Sequence, residues 1–108
     1  MGNRATIEIK DNQGQSADCY VYVHWLGDPE TVISVVKDAS HNMRKMNSNY
    51  ATARLIGAYH KELEGGLSLG VTQHKEDWDN GHYIVDMGSG TIENENTVIA
   101  SDIEFGDF

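Results

Sequence analysis

Residues 20–30 read YVYVHWLGDPE, and this stretch decides the fold because a strand ends and a helix begins within it. Apolar and polar side chains alternate along the strand, which indicates one buried and one solvated face. The face expected to be buried consists of Cys19, Val21, Val23 and Trp25. Asp28 and Pro29 then provide an N-cap carboxylate and a first-turn proline, which together predict a helix start. We therefore expect Trp25 to fill the junction between the sheet and the first helix, as large aromatic residues often do.

A second alternating segment precedes this strand. Residues 5–10, ATIEIK, place Ala5, Ile7 and Ile9 on one face and polar side chains on the other, which predicts a strand. Residues 11–16, DNQGQS, are polar and contain a glycine, as is typical of a turn. The two strands and this turn predict an antiparallel β-hairpin at the start of the chain.

Two amphipathic helices are expected after the hairpin. The first begins at Pro29, and its apolar stripe consists of Val32, Val36, Ala39, Met43 and Met46. The sequence NSN at residues 47–49 predicts a break and a new N-cap. The stripe of the second helix consists of Ala51, Leu55, Ile56, Tyr59 and Leu63. Gly65 and Gly66 provide the expected C-terminal stop.

A second hairpin is predicted in the following part of the chain. Residues 67–73 and 82–87, LSLGVTQ and HYIVDM, both alternate. The Asn-Gly pair in the segment between them favours a tight reversal. Residues 91–96, TIENEN, extend the β pattern, and residues 97–108 are compatible with either a final strand or a docked tail.

The whole pattern predicts one α+β domain over residues 1–108. Its element order is ββααββ with one or two further C-terminal β segments, and both helices are expected to pack on one face of an antiparallel sheet. A chain of this length has the apolar content for a single modest core. No internal repeat or linker divides it.

Charge is distributed unevenly along the chain. The formal net charge is −9, yet residues 1–75 contain all eight basic residues against eight acidic ones. Residues 76–108, which we name the acidic third, contain nine acidic residues and no lysine or arginine. Such a segment repels nucleic acid and anionic membranes and attracts basic surfaces. A solvated surface that only keeps the protein soluble is the simpler alternative.

Some of these acidic residues are regularly spaced. Glu93 and Glu95 are two residues apart, as are Asp102 and Glu104, so that on a strand each pair would share one face at about 6.6 Å. That separation is close to the path between successive phosphates of a nucleic-acid strand. The acidic third is therefore predicted to mimic nucleic acid and to bind a host protein with a basic, nucleic-acid-binding surface. The expected contact residues are Asp77, Trp78, Asp79, Glu93, Glu95, Asp102, Glu104 and Phe108.

The polar face of the first hairpin is the second candidate surface. Its residues are expected to be Glu8, Tyr20, Tyr22 and His24. Tyrosine supplies contact area and a polar tip, so this face suits a small ligand such as a nucleotide signal, or a homodimer interface. His24 beside Glu8 would also suit general-base catalysis in a small hydrolase. A solvated sheet face without a function explains the same residues.

Metal and cofactor sites are not indicated by the sequence. The five histidines lack ligand spacing, and the Asp-x-Asp start at Asp77 lacks the later ligands of an EF-hand. The glycines at 88 and 90 precede a β-like segment rather than the helix of a phosphate-binding loop. Nucleophile signatures are absent as well. We therefore expect a protein that is not an enzyme and that needs no metal or cofactor.

The expected location is the cytoplasm. No apolar run approaches the roughly 18 residues of a membrane span, and the start MGNRATIEIK lacks a secretory signal. Cys19 is the only cysteine, which fits a reducing compartment. Binding to a membrane is accordingly not expected.

Parts of the sequence resemble a widespread family of small, uncharacterised phage and prophage proteins. The similar segments are residues 5–15, ATIEIKDNQGQ, residues 20–25, YVYVHW, and residues 49–63, NYATARLIGAYHKEL. Gly27 and Pro29 also match, and the resemblance covers about the first 90 residues.

Members of that family begin with a hairpin and carry a His-Trp-Asp-Gly-x-Pro motif. In this chain Leu26 replaces the acidic residue, and Asp28 stands where an aromatic residue is more usual. The resemblance implies a phage context and the host cytoplasm, where small acidic proteins often inhibit defence complexes. An anti-defence inhibitor, for example an anti-CRISPR protein, is the function that it implies.

Overall fold

The computed structural model describes residues 2–63 and 69–107. The elements in chain order are β1 Ala5–Lys10, β2 Tyr20–Val23, α1 Pro29–Ala39, α2 Ser48–Glu62, β3 Leu69–Thr72, β4 His82–Asp86, β5 Thr91–Asn94 and β6 Thr97–Ala100. A short 3-10 turn, Ser40–Asn42, follows α1. The predicted α+β class and the order ββααββ with C-terminal strands are confirmed.

The six strands form one mixed sheet in the order β3-β2-β1-β4-β5-β6. Within the described residues, four neighbouring pairs are antiparallel and one pair, β1 with β4, is parallel. In the parallel pair, Ile7 lies opposite Tyr83 and Ile9 lies opposite Val85. The sheet is therefore mostly antiparallel, with its parallel pair at the centre.

The predicted hairpin of β3 with β4 is wrong. β3 pairs with β2 and β4 pairs with β1, so two strands lie between them. The expected tight reversal does occur, since Gly81 has a φ of 70° and its N–H donates to the carbonyl of Trp78 at 3.0 Å. It directs the chain to β1 instead, where the carbonyl of Gly81 accepts from the N–H of Thr6 at 3.0 Å.

One apolar core lies between the sheet and the helices. Alternation places Ala5, Ile7 and Ile9 of β1 on the helix-covered face, where all three are buried. The largest side chains without solvent contact in this core are Tyr59, Tyr83, Ile7, Ile9, Met43 and Leu55. The other face of the sheet carries no helix, and we name it the open face.

The first helix is shorter than its apolar stripe predicts. Asp28 caps it as expected, since its carboxylate accepts from the N–H of Thr31 at 3.2 Å. The helix ends at Ala39 and the chain turns, so Met43 still enters the core whereas Met46 is 66% exposed. The prediction that Met46 is buried is therefore wrong.

The second helix begins at the predicted break. The side chain of Asn47 accepts from the N–H of Tyr50 at 3.0 Å and forms the N-cap. The helix ends at Glu62. The glycines at 65 and 66, which were expected to end it, lie outside the described residues.

Trp25 does not fill the junction between sheet and helix. Strand β2 ends at Val23, and Leu26 adopts a φ of 62°, which lies in the left-handed region. This turn brings Leu26 against the core and leaves Trp25 47% exposed. The predicted burial of Trp25 is wrong because the alternation stops two residues before it.

Two buried tyrosines hold this turn in place. The hydroxyl of Tyr59 donates to the carbonyl of Leu26 at 3.1 Å, and that of Tyr83 donates to the carbonyl of Gly27 at 2.7 Å. Burial raises the pKa of both tyrosines, so that the hydroxyls stay protonated and remain donors. The turn is thereby tied to α2 and to β4 at once.

The C-terminal residues form both of the structures that the sequence allowed. β6 adds an edge strand, and residues 101–107 then pack as a docked tail with Ile103 and Phe105 buried. The N–H of Lys45 donates to the carbonyl of Gly106 at 3.0 Å, and the N–H of Gly106 donates to the carbonyl of Ser40 at 3.0 Å. The tail therefore closes the end of the core next to the 3-10 turn.

The turn after β2 predicts a large effect of one methyl group. A Cβ at Gly27 would collide with the carbonyl oxygen of Asn3, just before β1, and lie 2.8 Å from the Cβ of Ala5, the first residue of β1. We expect Gly27→Ala to cost about 3 kcal/mol or more of unfolding free energy, measured by urea denaturation. Gly57→Ala is the matched control: it meets nothing within 4 Å and should be neutral or stabilising by up to about 1 kcal/mol. Equal effects of the two substitutions would contradict the packing of this turn.

Candidate functional site

Three polar residues of the open face are buried although no helix covers them. Thr6, Glu8 and His82 are each less than a tenth exposed. The segment between β3 and β4 crosses this face, because its two ends lie on opposite sides of β2 and β1. The N–H of Glu76 in that segment donates to the hydroxyl of Thr6 at 3.0 Å. The crossing segment therefore covers the polar residues at the centre of the sheet.

These residues form one hydrogen-bonded network. Nε2 of His82 lies 2.8 Å from a carboxylate oxygen of Glu8, and its Nδ1 lies 2.7 Å from the hydroxyl of Thr6. The other oxygen of Glu8 accepts from the hydroxyl of Ser16. Because an ionised carboxylate only accepts, Nε2 carries the hydrogen, and the hydroxyl of Thr6 can donate to Nδ1. Each ring nitrogen thus has a partner.

Two opposing effects act on the carboxyl group of Glu8. Burial by itself raises its pKa, but the hydrogen bonds from Ser16 and His82 favour the ionised form and hold the pKa below its ordinary value. A carboxylate with a depressed pKa contributes stability above the ordinary value of about 4.3 and loses it as the pH falls through the folded-state pKa. The network is therefore a stabilising element at neutral pH.

The order of hydroxyl, imidazole and carboxylate is that of a nucleophile triad. Thr6, however, is 1% exposed, and its hydroxyl already contacts both Nδ1 of His82 and the N–H of Glu76. A substrate carbonyl has no path to that oxygen while the crossing segment covers it. The arrangement fits a structural network that fastens this segment to the sheet.

The four residues of the predicted ligand face form two separate groups of contacts. Glu8 pairs with His82 rather than with His24, and the ring of Tyr20 contacts the ring of His82 at 4.8 Å. Tyr22 and His24 form a separate pair, in which the hydroxyl lies 3.2 Å from Nδ1. The hydrolase hypothesis therefore lacks the predicted pairing of His24 with Glu8.

His82 is not among the site residues predicted from the sequence. The alternation of apolar and polar residues in 82–87 predicted a strand but not its partner. His82 reaches Glu8 because β4 pairs in parallel with β1. No local sequence signal specifies that contact.

Cavities offer little room near these residues. A cavity of about 80 Å³ is lined by Lys75, His82, Ile84, Glu93, Glu95 and Asn96. Pockets for small organic ligands usually measure about 300–1,000 Å³. A larger groove of about 460 Å³ lies between α1 and α2, and it is lined by small residues such as Ala39 and Gly57, with charged side chains around it. None of the predicted site residues lines the larger groove.

Most of the acidic third lies on one side of the sheet. Strands β4, β5 and β6 follow β1 in the strand order, whereas β3 and β2 lie on its other side. All eight lysines and arginines belong to residues 1–75. Some of these cations nevertheless lie beside the acidic third. Arg4 pairs with Asp79, and Lys75 lines a small cavity together with Glu93 and Glu95. The acidic third therefore has a large excess of negative charge, with single cations at its border.

The predicted ladder of strand carboxylates is not formed. Glu93 lies on β5, but Glu95 has a φ of 49° in the following turn, where its carboxylate accepts from the N–H of His82 at 3.1 Å. Asp102 has a φ of 58° and belongs with Glu104 to the docked tail. The strand placement of Glu95, Asp102 and Glu104 is therefore wrong, and a regular phosphate-like spacing does not follow.

Several of these carboxylates are nevertheless available to a partner. In the part of the chain that the structure describes, the side chains of Asp77, Glu93, Asp102 and Glu104 make no hydrogen bond or ion pair. Asp77, Asp102 and Glu104 are also exposed. Phe108, the remaining predicted contact, lies outside the described residues.

Trp78 and Asp79 pack around Arg4. The guanidinium of Arg4 lies 5.3 Å from the ring centroid of Trp78, and its Nε donates to Asp79 at 3.0 Å. This hydrogen bond lowers the pKa of Asp79. Trp78 remains 63% exposed. The aromatic ring and its cation are thus presented together at the surface.

Metal-binding clusters and membrane-spanning helices are not found in the part of the chain that the structure describes. No group of three or more His, Cys, Asp or Glu side chains in residues 2–63 and 69–107 is arranged to hold a metal ion. Neither described helix has the length and apolar character needed to cross a membrane.

No protein-family model, no curated protein and no solved structure matches the chain.

The buried network predicts how Glu8 titrates. We expect its side-chain carboxyl carbon, followed by NMR against pH, to report a pKa below about 4.3, because two hydrogen bonds favour the ionised form. Ser16→Ala removes one of them and should raise this pKa. Ser89→Ala, at an exposed turn, is the control and should leave it unchanged. A Glu8 pKa at or above the ordinary value would contradict the network.

Proposed function

We propose that the protein is a non-enzymatic accessory protein that binds a basic surface of another protein through the acidic third. The observation that supports this most is the excess of acidic residues in this part of the chain, several of them exposed and without a partner. Nine acidic residues lie in strands β4 to β6, the tail and the segment before β4, without a lysine or arginine among them. Five of these carboxylates have no hydrogen-bond or ion-pair partner within the described residues: Asp77, Glu93, Asp102, Glu104 and Asp107.

The physical effect of such a surface is mainly on association. A field of one sign attracts a basic partner over several ångströms and raises the on-rate, and salt weakens it. Charges at the rim of an interface act on the on-rate, whereas charges buried in the interface act on dissociation. Inhibition would follow if the basic surface is the one that the partner uses for nucleic acid.

A nucleic-acid-binding host protein is the partner class that we propose. Its basic surface is the common complement of an acidic one, and the acidic third itself disfavours direct contact with phosphates. The phage context and an anti-defence role, including inhibition of a CRISPR complex, come from the sequence resemblance and form part of the proposal. Binding a basic surface does not require carboxylates at a regular, phosphate-like spacing. An acidic surface with irregularly spaced charges is sufficient.

The two alternatives have less support. A small-ligand site on the face of Tyr20, Tyr22 and His24 would need a pocket, and the cavity beside His82 measures only about 80 Å³. The hydrolase hypothesis relied on His24 beside Glu8, and Glu8 pairs with His82 instead. Both remain weaker readings of the same residues.

Two matched triple variants test the acidic third. Glu93→Gln, Asp102→Asn and Glu104→Gln remove three charges from it. The control, Asp18→Asn, Asp38→Asn and Glu62→Gln, removes three exposed charges from the other part of the chain.

The probe is the heparin-binding fraction of a bacterial lysate, which is enriched in proteins with basic, nucleic-acid-binding surfaces. We expect the parent and the control to retain a protein at low salt, to release it at high salt, and to inhibit its binding to DNA. The variant of the acidic third should lose retention and inhibition, because its field is weakened. Equal losses in both variants, or no loss in either, would show that the acidic third is only a solvated surface.

A further inference from the structure

Both tryptophans of the chain are exposed at the same end of the sheet. Trp25 follows β2 and Trp78 precedes β4, and these two strands flank β1 on either side. The N–H of Asn3 donates to the carbonyl of His24, and the N–H of Asn80 donates to the carbonyl of Arg4. The start of the chain therefore lies between the two indoles. We name Arg4, Trp25 and Trp78 the aromatic end.

Trp25 is held at the surface by strained backbone. Leu26 is a bulky residue at positive φ, which is a true outlier for such a side chain. The carbonyls of His24, Leu26 and Gly27 each accept a hydrogen bond, from Asn3, Tyr59 and Tyr83. Strained residues persist where their surroundings over-determine them, and they concentrate at functional sites. The turn thus fixes an exposed indole that contributes little to the core.

Trp78 is fixed by different contacts. One carboxylate oxygen of Glu76 accepts from the N–H groups of Asp77 and Trp78, at 3.0 and 2.9 Å. Arg4 stacks over the indole and is held there by Asp79. The chain therefore already contains one example of a guanidinium on this ring. The indole is still 63% exposed, so a second cation has access to it.

The charge around the aromatic end selects the kind of ligand. Asp77 is exposed and has no partner within the described residues, and Glu30 is exposed in the first turn of α1, close to Trp25 in the chain. Carboxylates repel phosphates and attract cations, and the faces of indole rings attract cations as well. Aromatic residues in a partly apolar patch are also frequent hot spots of interfaces.

We propose that the aromatic end binds an extended, arginine- or lysine-rich peptide segment of the partner, whose cationic side chains stack on Trp25 and Trp78. Trp25 follows the end of β2 and Trp78 precedes the start of β4, and these two strands are two strand spacings apart, which is about 10 Å. Cationic side chains on one side of an extended peptide lie about 7 or 13 Å apart, for separations of two or four residues, which brackets this distance. The proposal rests on the proposed function, because it names the partner segment that the acidic third attracts.

The test uses the two tryptophans as its signal, since the chain contains no others. The probe is a nine-residue peptide in which arginine alternates with threonine, and the control peptide has citrulline in place of arginine. We expect the arginine peptide to change the tryptophan fluorescence of the parent protein and to protect it from quenching by acrylamide. The citrulline peptide, which has the same shape without the charge, should do neither.

Variants then assign the contact. Trp25→Ala and Trp78→Ala should each weaken peptide binding, measured by anisotropy of a labelled peptide, by about three- to tenfold, and the double variant by more. Met46→Ala removes another exposed apolar side chain and is the control that should bind like the parent. Circular dichroism should show unchanged folding, since neither indole is part of the core.

Two results would overturn the proposal. In the first, both tryptophan variants bind the peptide like the parent protein, whereas the triple substitution at Glu93, Asp102 and Glu104 weakens binding. The aromatic end would then not contact the peptide, and the proposed function would still stand. The second is an absence of any effect of the arginine peptide on fluorescence and quenching in the parent protein at low salt. The proposed function itself would still be decided by the capture experiment.

Discussion

The parallel pairing of β1 with β4 is the contact on which the rest of the structure depends. β1 is central in the sheet, and β4 brings the second half of the chain to it in register, with Ile7 opposite Tyr83. The same pairing inserts Tyr83 into the core, where its hydroxyl holds the turn after β2. On the open face it places His82 against Glu8. One strand contact therefore joins the core, the polar network and the turn that exposes Trp25.

The same contact sets the electrostatic character of the molecule. Because β4, β5 and β6 all lie on one side of β1, most of the acidic third stays together in space. The segment that reaches β4 crosses the open face and presents Trp78 at the start of β1. Charge and exposed aromatic surface thus meet at one end of the sheet, which is the combination that a basic peptide segment would contact.

Local signals in the sequence predicted local structure well. Asp28 and Asn47 cap the two helices as expected, and alternation identified every described strand of the first half. Long-range contacts and strand ends were not predictable in this way. Trp25 continues the alternation in sequence, but the strand stops at Val23, and Glu95 leaves its strand at a turn with positive φ. The partner of β4 depends on packing across the whole sheet, so His82 was missed although Glu8 was found.

Nuclear Overhauser contacts across the sheet test the central pairing most directly. In a uniformly labelled sample, the account predicts backbone contacts of Ile7 and Ile9 with residues next to Tyr83 and Val85, in the pattern of parallel strands. Contacts between β3 and β4 in an antiparallel pattern, with none between β1 and β4, would contradict it. The grouping of β4, β5 and β6 on one side of β1 and the network at His82 would then both lose their structural basis.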